Sequence, residues 1–169
     1  VEKQICAVPL PLLLPGTGAD LFLHYRTPFL AITPDGTCLR PAAAHLTCLR
    51  SHPCRLVAQG PIGFVAVRFR TSAIRHFGKL GLPDLLDRFP DATEHFGPEA
   101  AELPGRLAAL PDLSKRAAQL ARFLLHQLGR KASPITLADR ATETLYYGEP
   151  DQSIAELADE LGYSCRQLE

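Results

Sequence analysis

The sequence predicts an α+β protein: a small β-rich sandwich or barrel over residues 1–70, a helical region over 71–130, and a further helical piece over 131–169. Three observations carry this. Up to residue 70 the chain is broken every few positions by Pro or Gly, with short apolar or alternating runs between the breaks, which is the pattern of strands and turns. Beyond Thr71 apolar residues recur at steps of three and four, the period of a helix. The stretch from Ser153 onward carries cap residues of its own. At 169 residues, 46% of them hydrophobic, the chain is long enough to bury a core.

The strands are expected at 4–8, 20–25, 29–33, 46–50, 55–58 and 63–69. Pro15-Gly16-Thr17-Gly18, Pro34-Asp35-Gly36 and Gly60-Pro61-Ile62-Gly63 separate them, each supplying a fixed φ or a permissive Gly. Short strands at this spacing suit a sandwich or a barrel equally. Ser72 is the expected cap of a short helix through Phe77, and Leu82-Pro83-Asp84 opens another. Pro98 sits at the start of a helix over 99–110. Pro111-Asp112 opens the strongest one. There Leu113, Ala117, Leu120, Ala121, Leu124 and Leu128 form one stripe, and Gly129 is the expected end. The stripe fits an intramolecular core or a dimer surface. A linker over 131–134 and helices over 136–147 and 153–161 complete the chain.

Eighteen Lys and Arg balance eighteen Asp and Glu, so bulk charge excludes a protein that coats polyanions. The distribution is uneven. Between Gly36 and Pro83 there is no acid but there are seven Lys or Arg, whereas the stretch from Asp84 to Asp112 holds seven acids against Arg88 and Arg106. Either the two halves meet through salt bridges at their rim or the basic half lines an anion pocket. Arg68 and Arg70 flank Phe69 and share a face, which makes them candidate anion contacts, with rim ion pairs as the plainer alternative. His24 and Tyr25 are adjacent on a strand, which fits either a barrel interior where they meet a ligand or one residue in the core and the other facing solvent. His24, Tyr25, Arg68 and Arg70 are therefore the candidate effector-binding residues.

The apolar run over 5–15 is interrupted by Pro9 and Pro11 and is shorter than the about 20 residues a membrane helix needs. Glu2 ahead of it and the single basic Lys3 argue against a secretory leader, and the prolines suit an extended arm better. Five cysteines, Cys6, Cys38, Cys48, Cys54 and Cys165, are an odd number and suit a reducing cytosol. A cytoplasmic protein without membrane contact is expected. The chain has no Met and its last residue falls inside an expected helix, so it reads as a fragment.

The most informative stretch is Ser153-Ile-Ala-Glu-Leu-Ala-Asp-Glu-Leu-Gly-Tyr-Ser-Cys-Arg-Gln-Leu-Glu169. Ser153 and Glu156 form a capping box. Ile154, Leu157, Ala158 and Leu161 share a face, and Gly162 stops the helix in the left-handed conformation. Ser164 then caps a second helix, returning Leu168 to the core and leaving Cys165, Arg166 and Glu169 outward. That is a helix-turn-helix layout, whose second helix meets base edges in the major groove. A guanidinium such as that of Arg166 can bond bidentately to guanine.

This pattern closely resembles the first helix-turn-helix of AraC/XylS-type bacterial transcription regulators. The segment 136–147, with Leu137, Ala141, Leu145 and Tyr146, looks like the preceding helix in that family. More loosely, Gly63-Phe-Val-Ala-Val-Arg-Phe-Arg-Thr-Ser-Ala-Ile and the helices through Leu128 are similar to the effector-binding region of a subset of it. The resemblance implies a cupin-like β-rich domain that binds a small-molecule effector, anionic if the arginines hold it, and a helical dimerisation region. It also implies a domain that binds double-stranded DNA, here through Ser164, Cys165, Arg166 and Glu169, in a homodimer. The second helix-turn-helix of the family is absent, and the five acids between Asp151 and Glu169 repel phosphate. These residues alone are expected to bind little DNA.

No catalytic residue or cofactor is expected. Gly16-x-Gly18 lacks the third glycine of a dinucleotide fingerprint, Gly78-Lys79 has no phosphate-loop context, and no G-x-S-x-G occurs. The alternative from another class is a small cupin-like metalloenzyme, or a metal or redox sensor, built on Cys38, His45, Cys48, His52 and Cys54. Their spacing fits no common zinc motif, and no metal ligand is assigned.

Overall fold

The computed structural model describes residues 10–70, 73–78, 85–131, 133–148 and 151–168. The strand expected at 4–8, the Ser72 cap, the helix opening at Leu82-Pro83-Asp84, and Glu169 lie outside these residues. Among them are seven strands and six α-helices, so the chain is α+β. The strands are β1 (Leu12–Leu13), β2 (Ala19–His24), β3 (Leu30–Ile32), β4 (Cys38–Leu39), β5 (Ala44–Thr47), β6 (Cys54–Val57) and β7 (Phe64–Phe69). All pair antiparallel, in two separate sheets ordered β1-β6-β3-β4 and β5-β2-β7, rather than in one closed barrel.

Strand β2 is the centre of the fold. All six of its residues are buried, because both faces of its sheet are covered. Ala19, Leu21 and Leu23 point to one side and join Ala44 and Leu46 of β5 and Phe69 of β7. Helices α1 (Ala92–Phe96), α2 (Glu99–Ala108) and α3 (Leu113–Lys131) cover that side with Phe96, Leu103, Leu107, Leu120 and Phe123. Phe22 points the other way, into a second core with Leu13, Phe29, Ala31, Cys54 and Leu56 of the facing sheet and its connections. The alternation of β2 thus divides one strand between two cores.

Strand β5 begins two residues before the expected 46–50 and ends at Thr47, because Arg50 leaves the sheet to bridge Gly16. The two-residue strands β1 and β4 escape a reading by periodicity. So does α1, although Asp91 and Glu94 form its capping box. The segment after β7 is a 3-10 turn, Ala73–His76.

Helix α3 runs past Gly129 to Lys131. A glycine inside a helix costs only about 1 kcal/mol, and here Arg130 pairs with Glu99 of α2 at 3.0 Å to hold the last turn. The stripe also divides. Leu120 is buried with Phe123, whereas Leu113, Ala117 and Ala121 are exposed along with Leu125. The actual buried face is therefore rotated from the one periodicity suggests.

The C-terminal part holds α4 (Leu137–Tyr147), α5 (Ile154–Leu161) and α6 (Cys165–Leu168), packed on one another. Thr136 and Asp139 form a capping box for α4. The pair Ser153 and Glu156 does the same for α5. Gly162 has φ 73°, the left-handed conformation that favours glycine. The Tyr163 N–H returns to the Ala158 carbonyl at 2.8 Å. The tail is thus two helices meeting at a glycine corner. Leu157 and Ala158 are buried, but Ile154, expected on the same face, is about half exposed.

Gly78 marks a close approach between the 3-10 turn and α1. A Cβ there would lie 2.5 Å from His95 Cγ and closer still to the His95 carbonyl oxygen, which is backbone and cannot yield. Gly78→Ala is expected to lower unfolding free energy by about 3 kcal/mol, measured by urea titration at pH 7.5.

Candidate functional site

On its inter-sheet face, the β5-β2-β7 sheet presents three rows set by register: Thr47-Asp20-Arg68, His45-Phe22-Ala66, and, at the end, His24 beside Phe64. The first row is charged. Asp20 is buried, and Arg68 donates to both of its oxygens, from Nε at 2.8 Å and Nη2 at 3.2 Å. Arg50 stands behind it at 3.7 Å. Arg50 Nε also donates to the Leu14 carbonyl (2.9 Å) and Nη1 to Thr47 Oγ1 (3.3 Å) and the Cys48 carbonyl (3.0 Å). Two reciprocal backbone bonds join Arg50 to Gly16. The segment before β2 is thereby fastened across the sheet.

That segment forms one wall of a cleft of about 800 Å³. Leu12 and Leu14, both more than half exposed, face it with Phe22, Leu56, Phe64 and Ala66. Asp20, Arg50 and Arg68 supply its polar side, and Arg70 and Tyr146 stand at the rim. The arrangement can hold an apolar body against the leucines and phenylalanines and a negative group against the arginines.

Arg70 lies in the loop after β7, and Tyr146 belongs to α4. Arg70 places its guanidinium 4.3 Å from the Tyr147 ring centroid and 5.8 Å from that of Tyr146, within cation–π range. Its Nη1 lies 3.8 Å from Glu143. Arg75 grips the other end of α4: Nε donates to Asp139 at 2.9 Å, a second nitrogen also meets Asp139, and Nη2 donates to the Pro134 carbonyl at 3.0 Å. Among the described residues, Arg68, Arg70 and Arg75 pair with Asp20 and α4 rather than with the acids of 84–112; of those acids Asp87 is held by Ser51 and faces His52, while Glu99 and Glu102 pair with Arg130 and Arg106.

Arg68 and Arg70 therefore line one cleft, while the two other candidate effector contacts lie elsewhere. His24 is buried beyond Phe22, next to Phe29 and Phe64. Tyr25 has the opposite orientation: it packs on the helical core, with Arg116 stacked 4.0 Å over its ring. Periodicity missed Asp20, Arg50, Leu12, Leu14 and Tyr146. Asp20 carried a signal, an acid at the start of the apolar run Leu21-Phe22-Leu23.

In the tail, Ser164, Cys165 and Arg166 are all exposed. The Ser164 N–H bonds to Gln167 Oε1 at 3.0 Å, closing the first turn of α6.

The Cys and His residues of the alternative reading diverge. Cys38 is exposed, and His52 bonds to Ser51 and faces Asp87. Among the described residues no three His, Cys, Asp or Glu side chains converge as metal ligands. Burial pushes the Cys48 thiol up to about 12, away from the thiolate that redox sensing uses. No described helix is long and apolar enough to cross a membrane.

His24 and His45 are stacked, with ring centroids 5.4 Å apart. His45 Nδ1 bonds to the Ala42 carbonyl at 2.8 Å, whereas neither ring nitrogen of His24 has a hydrogen-bond partner among the described residues. Burial lowers each to about 4, from an ordinary value of 6.5. In the unfolded chain both take protons near 6.5, so between 6.5 and 4 the unfolded state binds more protons and stability falls with falling pH. The loss, on the order of 3 kcal/mol per ring, is expected in urea titrations between pH 7.5 and 4. His24→Leu is expected to flatten that profile while changing stability at pH 7.5 by less than about 1 kcal/mol; an unchanged profile would assign the pH dependence to other groups.

Compared with known proteins, the chain matches no family model, no curated protein and no solved structure.

Proposed function

We propose that this chain is the ligand-sensing and dimerisation portion of a bacterial AraC-type transcription regulator. The β-rich part is its cupin-like effector domain, and residues from about 131 onward open its DNA-binding domain. The protein works in the cytoplasm as a homodimer on double-stranded DNA.

The observation that carries this reading is the tail. A capped helix, a left-handed Gly162 and a second helix at Cys165–Leu168 reproduce a helix-turn-helix entry, with Ser164, Cys165 and Arg166 all on the surface. The position of α4 adds to it. The helix leading into that unit bears Tyr146, which lines the cleft, so a molecule bound there would touch the element that carries the DNA-reading part. An effector can shift such an element only by its differential affinity for the two arrangements, and a shared wall provides the means.

The exposed stripe of α3 suits the dimer. Leu113 and Leu125 are among the most exposed large apolar residues, and Ala117 and Ala121 between them allow a second helix to come close. Leu113→Asp with Leu125→Asp is expected to convert a dimer to a folded monomer in sedimentation equilibrium. A wild-type monomer, or a variant that remains dimeric, excludes this surface.

The regulator reading itself is tested by reading the coding sequence past Glu169 and measuring, by fluorescence anisotropy, whether the encoded protein binds the duplex upstream of its gene. Specific binding that Arg166→Ala weakens by about 1–3 kcal/mol is expected. A coding sequence without a further helix-turn-helix, or a protein that ignores duplex DNA, overturns it.

A further inference from the structure

The cleft has a definite electrostatic and apolar character. Arg50, Arg68 and Arg70 face Asp20 and Glu143, which leaves one net positive charge at its polar end. Arg50 and Arg68 are committed. Arg50 holds the Leu14, Thr47 and Cys48 oxygens, and Arg68 uses Nε and Nη2 on Asp20. Arg70 differs. Its contact with Glu143, at 3.8 Å, is longer than a hydrogen bond, and the two side chains are 46% and 69% exposed. A loose, solvated pair of this kind contributes little. A ligand carboxylate seated bidentately on the same guanidinium offers shorter, charge-assisted bonds. The remaining lining is apolar, and its exposed members, Leu12, Leu14 and Tyr146, are large side chains that a ligand would remove from water.

Resting on the effector-sensing reading of this cleft, we infer that it takes a small carboxylate monoanion with an apolar body, and that the carboxylate binds by taking Arg70 from Glu143. One net positive charge is matched by one negative charge; a dianion would leave a charge uncompensated beside Asp20. Because Arg70 holds the C-terminal half of α4 through Glu143 and Tyr147, the exchange loosens that half of the helix. Ligand and α4 compete for one guanidinium, and the coupling between them is negative and reciprocal.

The test is calorimetric titration of the whole 169-residue chain. The probes are straight-chain carboxylates from butyrate to decanoate and 4-phenylbutyrate, with 4-phenylbutyramide as the neutral control and phenylsuccinate as the dianion. At least one monocarboxylate is expected to bind with a Kd of about 1 mM or tighter, and each control at least about tenfold more weakly than the best one. Arg70→Gln is expected to weaken binding about tenfold or more. Glu143→Gln removes the competitor and is expected to strengthen it, by about threefold. Amide hydrogen exchange in residues 144–147 should rise with ligand in the wild type and without ligand in Glu143→Gln.

The gain in Glu143→Gln is diagnostic only together with the raised exchange in residues 144–147, because removing a nearby negative charge alone would strengthen anion binding without loosening α4. Both variants lie on the surface, and their melting curves verify folding. No carboxylate binding, an amide that binds as well as the acid, or a Glu143→Gln variant with equal or weaker affinity overturns the inference. The regulator reading fails separately, through the DNA measurement: carboxylate binding with this variant pattern in a protein that ignores DNA would leave the site standing alone.

Discussion

The carboxylate of Asp20 is the constraint on which the rest depends. It sits in the central strand of a sheet covered on both faces, where an unmatched charge would cost several kcal/mol. Two guanidiniums answer it. Arg68, its direct cross-strand neighbour on β7, supplies bidentate bonds, and Arg50 approaches from beyond β5. Arg50 is itself buried, so its remaining donors must also be used, and it spends them on Leu14, Thr47 and Cys48. Satisfying one acid therefore constrains where Arg50 lies, and Arg50, through Leu14 and Gly16, joins the β1–β6 pairing in fixing the segment that carries Leu12 and Leu14. The cleft wall is a consequence of that chain of partners.

The same strand explains why the charged group lies in the cleft and not among the helices. With period two, Leu21 and Leu23 face α1, α2 and α3, while Asp20, Phe22 and His24 face the other sheet. A shift of one residue would place Asp20 among the apolar side chains of the helical core, such as Phe96 and Leu103. Register is thus enforced by an electrostatic penalty as well as by apolar burial. Phe22 and His45 share the middle row of the inter-sheet face, with the arginine row and cleft on one side of it and His24, stacked on His45, on the other.

Features encoded in local grammar were legible in the sequence. Ser153, Glu156 and Gly162 take the cap and corner roles their spacing implies, since a capping box and a left-handed glycine need only neighbours in the chain. The strand at 63–69 and the helix beginning near Leu113 were legible for the same reason. Features set by partners distant in sequence were not. Arg68 and Asp20 are 48 positions apart and Arg75 and Asp139 are 64 apart, so no local window joins them. Helix α3 shows the limit of periodicity: Leu113, Leu120 and Leu124 fit one stripe on paper, but packing on α2 and the sheet buries Leu120 and leaves Leu113 outside. His24 and Tyr25 show another, because alternation tells that they face opposite sides without telling which side holds the cleft.

The two attachments of α4 are unequal, and their difference gives the proposed exchange a direction. Arg75 meets Asp139 within the capping box at the start of the helix, and Asp139 is 11% exposed. Arg70 meets Glu143, Tyr146 and Tyr147 on the surface near its end. Exposed ion pairs contribute roughly 0–1 kcal/mol, whereas a partly buried bidentate pair with further carbonyl bonds contributes more. A ligand carboxylate that competes for Arg70 acts on the weaker of the two attachments and leaves the one made by Arg75 in place. Helix α4 would then remain held at the end near Thr136 and become free to swing at the end that leads into α5 and the glycine corner. Loosening one end of a rigid helix re-aims the element joined to that end, and the element joined to α4 is the helix pair carrying Ser164 and Arg166.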